Sequence, residues 1–307
     1  MKRERIVIAG GSGFLGAALE AQLIEAGHDV VILTRAPRNG AGPNDVYWDG
    51  RTIGEWASLL DGAAAVVNFA GRNVNCRYHK RNRREILDSR LDSVAVIGKA
   101  IKNCRRPPPV WIQSATLAIY GHAGEAELDE TATPADGFSP EVAKQWEQAF
   151  LNVQAPATRK VVLRISFVIG RSGGALKTLA ALTRSGLGGA VGNGRQWMSW
   201  LHVEDLNRII LRAIEDHSME GMYHATSPNP ERNRDFMREM RRVLRRPWSP
   251  PVPRWALPVG TFLMRTESEL IMRSRHGIPG RLLDEGFEFN YPDLGPALDS
   301  ILGTSER

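Results

Sequence analysis

The chain has 307 residues, 42% hydrophobic and 24% charged, which excludes disordered and collagen-like classes and predicts two domains or one large α/β unit with an appendage. Forty lysines and arginines against 34 acids give a formal charge of +6, a balance that points to an anionic partner or a phosphorylated ligand. Two cysteines, Cys76 and Cys104, exclude a disulfide scaffold, and no apolar run nears the roughly 18 residues of a membrane span, so the expectation is a soluble, cytoplasmic protein.

After a charged start, Ile6–Ala9 is too short for the apolar region of a signal peptide and reads as a first strand. Val30–Leu33, Ala65–Phe69, Val110–Gln113 and Val161–Ile165 are further β-branched runs of the length of buried parallel strands. Between them, Leu15–Ala26 and Ile86–Lys102 space apolar residues three and four apart, the period of a helix. The alternation predicts an α/β fold: a Rossmann-type doubly wound parallel sheet, with a smaller, mostly helical C-terminal substrate-side region. Gly170–Gly194 is too rich in glycine for one helix and reads as a loop close to a ligand or another chain. Leu206–Glu215 and Asp235–Leu244 read as helices, Arg246–Pro253 as extended backbone, and the chain from Trp255 as a last, mostly helical segment. The expected division is 1–170 for the nucleotide-binding domain and 171–307 for the substrate-side region. A return segment near 200–226 is expected to complete the sheet, through Met222–Ala225.

Gly10-Gly11-Ser12-Gly13-Phe14-Leu15-Gly16 lies between the first strand and the first helix. Glycines at 10, 13 and 16 let the backbone turn tightly, approach a pyrophosphate and pack helix on strand. The free N–H groups and dipole of the helix start then attract the diphosphate. The second strand ends in Thr34-Arg35, without the Asp or Glu that would accept from a ribose 2′-OH. A guanidinium there pairs with a 2′-phosphate that a carboxylate would repel, so Arg35, assisted by Arg38, predicts NADP(H).

Val66-Val-Asn68-Phe69-Ala70-Gly71 and Ser114-Ala-Thr116-Leu-Ala-Ile-Tyr120-Gly121 resemble the fourth- and fifth-strand signatures of the extended short-chain dehydrogenase/reductases. Asp88–Leu91, Trp146-Glu147, Gly186–Asp205, Ser227–Pro230, Arg246-Pro247, Ile278-Pro279 and Gly286–Phe289 narrow this to an atypical subgroup, the "epimerase family proteins". The likeness covers essentially the whole chain. It implies that Phe69, Ala70 and Gly71 pass beside the cofactor, and that Ser89 and Arg90 face its nicotinamide ribose. It also implies that the Thr116 or Ser114 hydroxyl faces the substrate, and that Arg195 grips a substrate phosphate. Bacterial members of the subgroup often carry a cell-division inhibitor label.

The superfamily's usual acid/base is Tyr-x-x-x-Lys, in which the lysine lowers the tyrosine pKa. Here Pro140 stands four residues before Lys144, and Tyr120 is followed at 124 by Gly124. Thr116, Ser114 and Tyr120 are the catalytic candidates, with Lys144 and His202 as further proton donors. One histidine and one aspartate, His202 and Asp205, make no metal site and read as a tie between the second half and the sheet. The run His79–Arg84 lacks interleaved aromatics, so it reads as a solvated helix start or an attractor of phosphate-bearing ligands and not as a nucleic-acid surface. Two functions remain open. One is an NADP(H)-dependent oxidoreductase or epimerase-like enzyme with a small polar substrate, whose phosphorylated or nucleotide-linked nature the sequence leaves open. The other is a catalytically silent NADP(H)-binding regulator or scaffold. No nucleic-acid or membrane partner is expected, and monomer and homodimer stay equally open.

Overall fold

The structure, a computed structural model, describes residues 4–36, 44–252 and 273–303. Arg38, and residues 255–272 of the segment expected from Trp255, lie outside the described residues.

In chain order the strands are β1 (Arg5–Ala9), β2 (Asp29–Thr34), β3 (Asp45–Tyr47), β4 (Ala65–Asn68), β5 (Val110–Thr116), β6 (Glu127–Leu128) and β7 (Arg159–Ile165). They continue as β8 (Phe167–Ile169), β9 (Trp197–Met198), β10 (Trp200–His202), β11 (Gly221–Ala225), β12 (Glu231–Arg232) and β13 (His276–Gly277). The helices are α1 (Phe14–Glu25), α2 (Lys80–Lys102), α3 (Phe138–Leu151), α4 (Gly174–Arg184), α5 (Val203–Glu215), α6 (Asn233–Val243), α7 (Gly280–Asp284) and α8 (Leu294–Leu302).

Seven strands form one parallel sheet in the order β11-β7-β5-β4-β1-β2-β3. The order runs outward from β1 in both directions, so the crevice where an open α/β sheet receives a ligand lies at the carboxyl ends of β1 and β4. Alternate side chains of each strand face opposite sides, and the two faces are buried differently. Ile6, Ile8, Ile32, Ile112 and Leu163 pack with Leu19 and Leu23 of α1 and Leu206, Ile209 and Ile210 of α5. Val7, Val31, Val66, Trp111 and Val162 pack with Val94, Ile97 and Ile101 of α2 and Trp146 and Phe150 of α3. The strands are apolar on both faces because both are covered, which is why they read as continuous hydrophobic runs.

Two expectations are corrected. Gly170–Gly194 is not one loop: α4 occupies Gly174–Arg184, with Leu176, Ala180 and Thr183 buried. The glycines sit before and after it, and Gly170, Gly173 and Gly174 form a slot for the Phe14 ring, whose atoms would lie 2.8, 2.9 and 3.2 Å from a Cβ at those positions. The helix expected over Ile86–Lys102 also starts earlier, at Lys80, so the basic run is its start. Lys80–Arg84 form the first turns of α2, capped by the His79 side chain, whose Nδ1 accepts from the Asn82 N–H at 3.4 Å.

Beyond the sheet, a third core joins Leu176 and Ala180 of α4, Phe236 and Met240 of α6, and Leu294, Leu298 and Ile301 of α8 around Ile169 and Trp200. Asp205 fastens it to the sheet. Its fully buried carboxylate accepts the backbone N–H groups of Asn290 at 2.8 Å and Tyr291 at 2.9 Å. His202 begins α5, its Nδ1 accepting from the Glu204 N–H at 3.2 Å and its Nε2 3.3 Å from the Ser300 hydroxyl, with the ring packed on Tyr291. A backbone N–H can only donate, so Nδ1 carries no proton and Nε2 is the N–H of the neutral ring. Burial draws the His202 pKa down to about 4.

Candidate functional site

Gly10–Gly16 turns directly off β1 into α1. Gly10 has φ +72, and a Cβ there would lie 2.8 Å from the Ala70 Cα; one at Gly16 would lie 2.3 Å from the Gly11 Cα. The protein's own packing therefore demands these two glycines. Gly13 differs: its backbone is extended, and the nearest atom to an added Cβ is the Gly10 carbonyl oxygen at 3.8 Å. Space in front of it is open, as close approach by a ligand backbone requires. The helix it begins has no side-chain cap and no acid in its first turn, so its first N–H groups and positive dipole end face the crevice uncompensated. These residues fit a pyrophosphate.

At the end of β2, the buried Thr34 hydroxyl donates to the Ser12 hydroxyl at 2.9 Å, joining the second strand to the glycine turn. Arg35 follows, exposed and with no ion pair or hydrogen bond from its guanidinium among the described residues. No carboxylate side chain ends this strand.

The turn after β4 is built by Asn68. Its buried amide donates to Gln113 Oε1 at 2.9 Å and Ser93 Oγ at 3.3 Å, and its Oδ1 accepts the Ala70 N–H at 2.9 Å. One side chain thus fixes β4 against β5 and α2 and shapes the Phe69-Ala70-Gly71 backbone that meets Gly10. Asn68 stands in the fourth-strand signature, but its partners Gln113 and Ser93, 45 and 25 positions away, share no local sequence signal with it. Ser89 and Arg90 lie behind this turn. The Ser89 hydroxyl accepts the Arg72 N–H at 2.9 Å, and Arg90 Nη1 donates to the carbonyls of Ile86 at 2.8 Å and Arg72 at 3.2 Å.

The three hydroxyls proposed from β5 fare differently. Ser114 is buried and donates to the Asn68 carbonyl at 2.7 Å. Thr116 ends the strand half-buried. Its oxygen accepts the Ala118 N–H at 3.1 Å, which leaves its O–H free to donate. Tyr120 is buried among Arg164, whose Nη1 donates to its oxygen at 2.5 Å, His224 Nε2 at 2.8 Å and the Asp129 carbonyl at 3.1 Å. Burial pushes its pKa up to about 12, against the opposing pull of Arg164. The structure therefore does not bring Tyr120 to the crevice with Thr116. Arg164 is itself held by a bidentate, buried pair with Glu147 of α3, at 2.9 and 2.8 Å. This network, of which the sequence singles out only Tyr120 and Glu147, welds the turn after β5 to β7, β11 and α3. Lys144 points to Glu141 and Asp136, at 3.2 and 3.6 Å.

One further hydroxyl lies at the strand ends. Ser166 immediately follows Ile165, the β7 partner of Thr116, and its buried oxygen has no partner among the described residues. A buried hydroxyl without a partner is costly, and a water or ligand atom there would satisfy it. Arg195 stands apart, exposed at the rim of a cavity of about 170 Å³ that His122, Asn193, Gln196 and Ser274 also line. Beside it, Arg232 holds Glu125 by a fork at 2.9 and 2.6 Å and covers one face of Trp197, while His276 stacks on Trp197 at 4.1 Å between centroids. Among the described residues no cluster of acids, histidines or cysteines could hold a metal, and no helix is long and apolar enough to cross a membrane.

A seven-stranded parallel sheet with a glycine turn at its switch point defines a Rossmann-type α/β protein of the extended short-chain dehydrogenase/reductase kind. Residues 6–224 match the NAD dependent epimerase/dehydratase family, and the chain belongs to it. Residues 252–301 match a second family, a domain of unknown function, DUF1731. The chain is 32% identical over 302 residues to epimerase family protein SDR39U1 of Homo sapiens, covering 97% of this chain and 99% of that protein. It is also 32% identical to epimerase family protein YfhF of Bacillus subtilis, covering 97% of both. The crystal structure of human epimerase family protein SDR39U1 with NADPH superposes with a TM-score of 0.87 over 97% of this chain and 99% of that one, at 32% identity. The nucleoside-diphosphate sugar epimerase from Corynebacterium glutamicum matches with a TM-score of 0.79 at 29% identity, over 98% of this chain and 59% of that one.

Proposed function

We propose that this protein binds NADP(H) in the crevice at β1 and β4 and acts as an oxidoreductase or epimerase-like enzyme on a small polar substrate. The observation that carries the cofactor reading is the pairing of an open cradle at Gly13 with an Arg35 that has no partner among the described residues, where an NAD site would place an acid. The human relative crystallised with NADPH supports it. In this reading Gly10–Gly16 hold the pyrophosphate on the α1 N–H groups, Ser12, Thr34 and Arg35 receive the 2′-phosphate, and Phe69–Gly71 border the nicotinamide half. The bound dinucleotide would supply a hydride donor or acceptor. Thr116 donates to the reacting substrate oxygen, and Ser166, one strand over, donates to a neighbouring ligand atom. Residues 1–170 with the return segment near 200–226 form the cofactor half of this arrangement, and 171–307 the substrate half.

Titration of the purified protein with NADPH and NADH tests the reading. NADPH binds more tightly, and Arg35→Ala removes the preference by tenfold or more, the worth of a charge-assisted fork of about 1.5–3 kcal/mol. Equal affinity for NADH, or unchanged NADPH affinity in Arg35→Ala, overturns it. A second reading, a silent NADP(H)-binding regulator, is favoured by one observation: Tyr120 and Lys144 are both committed elsewhere. Turnover on a carbonyl panel that Thr116→Val abolishes while cofactor binding survives decides for the enzyme. An NADPH-dependent protein partner without turnover decides for the regulator.

A further inference from the structure

We propose that Arg90 receives an oxyanion, a carboxylate or phosphate, carried by the substrate, so that this protein acts on anionic small molecules. The proposal rests on the dinucleotide reading of the crevice. Arg90 lies on α2 directly behind the turn that meets the glycine cradle: Gly10 abuts Ala70, and a Cβ on Gly71 would lie 3.3 Å from the Arg90 Cζ. Its guanidinium plane is fixed over the Trp146 ring at 4.9 Å. Among the described residues it has no carboxylate partner. Of the acids on α2, Glu85 is held by Arg72 and Arg81, and Asp92 by Arg51. Among the described residues Nη1 alone is engaged, on two backbone carbonyls, which leaves Nε and Nη2 to donate. Desolvation, the largest influence on this group, draws its pKa down to about 10.

A desolvated cation without a counter-ion is costly in a folded protein, and the same low dielectric strengthens its attraction for any anion that reaches it. The phosphates of the dinucleotide are accounted for elsewhere, at the start of α1 and at Arg35 on the far side of β1. The nicotinamide half on the β4 side carries no anionic group of its own beyond the shared pyrophosphate. The oxyanion that satisfies Arg90 therefore comes from the substrate. It would be held by two parallel N–H donors, Nε and Nη2, that set its orientation.

The test uses the full chain saturated with NADP⁺ and a panel of 2- and 3-oxo carboxylates and phosphomonoesters, each beside its neutral ester or alcohol. Binding is read by calorimetry and thermal shift. At least one acid is expected to bind about tenfold more tightly than its neutral counterpart. Arg90→Gln removes that preference, and Arg90→Lys keeps part of it. The acid-against-ester comparison on the unaltered chain holds even where Arg90→Gln folds poorly. The proposal is overturned by an acid preference that survives Arg90→Gln, by a panel in which no acid binds, or by a tenfold loss of NADPH affinity in Arg90→Gln, which would put the guanidinium on the dinucleotide. Failure of the unaltered chain to bind NADPH is a different result, and it would remove the dinucleotide reading itself.

Discussion

Replacing Gly13 with alanine separates what the glycine turn does for the fold from what it does for a ligand. The Gly13 backbone, at φ −83 and ψ 178, is one alanine adopts freely, and the nearest atom to the new methyl is 3.8 Å away. As a helix N-cap, alanine costs up to about 1 kcal/mol relative to glycine, and reduced freedom of the unfolded chain returns about 0.4–1 kcal/mol. Stability is thus expected to change by less than about 1 kcal/mol. The methyl would nevertheless stand where the pyrophosphate approaches the α1 N–H groups, and NADPH affinity is expected to fall at least tenfold, a loss of about 1.4 kcal/mol or more. Gly16→Ala is the internal control with the opposite signature. Its methyl would sit 2.3 Å from backbone, so it unfolds the turn and lowers Tm before affinity can be read. Thermal denaturation and fluorescence titration with NADPH check both variants. Gly13→Ala with unchanged Tm and unchanged NADPH affinity would refute the assignment of the pyrophosphate to this turn.

The pH dependence of stability follows from His202. Its folded pKa, about 4, lies below the usual imidazole value near 6.5, so the unfolded state binds the proton more strongly, and stability is full above about 6.5 and lost as pH falls toward 4. The loss reaches about 3 kcal/mol, and His202→Gln flattens the Tm profile over that window; an equally steep profile in the variant would contradict this. Glu147→Ala leaves Arg164 buried and unpaired and is expected to cost about 3–5 kcal/mol by urea denaturation, whereas the paired change Glu147→Leu with Arg164→Met costs much less. Asp205→Asn sets an amide against two N–H donors and is expected to cost about 1–3 kcal/mol, read as faster limited proteolysis within 289–303; unchanged cleavage would refute the tie.

What the sequence by itself determined is local. The β-branched runs, the three- and four-residue spacing of α1 and α2, and the glycine turn between them each lie within a dozen or so neighbours, and backbone sterics and burial periodicity suffice to read them. The absence of an acid after Thr34 is equally a one-position fact. Composition misled where local glycine density stood in for position: Gly170–Gly194 looked unable to form a helix, yet its glycines fall before Gly174 and after Arg184, leaving an alanine- and leucine-rich helix intact. Tertiary structure alone decided which polar residues are spent and which are left over. Ser114 and Tyr120 each looked available for chemistry, but hydrogen-bond partners from distant strands consume them, whereas Lys144 is engaged locally by Glu141 and Asp136. Ser166 and Arg90 are left over for the converse reason. Whether a buried hydroxyl or cation is satisfied depends on groups brought together across the sheet, and that accounting exists only after the chain has folded.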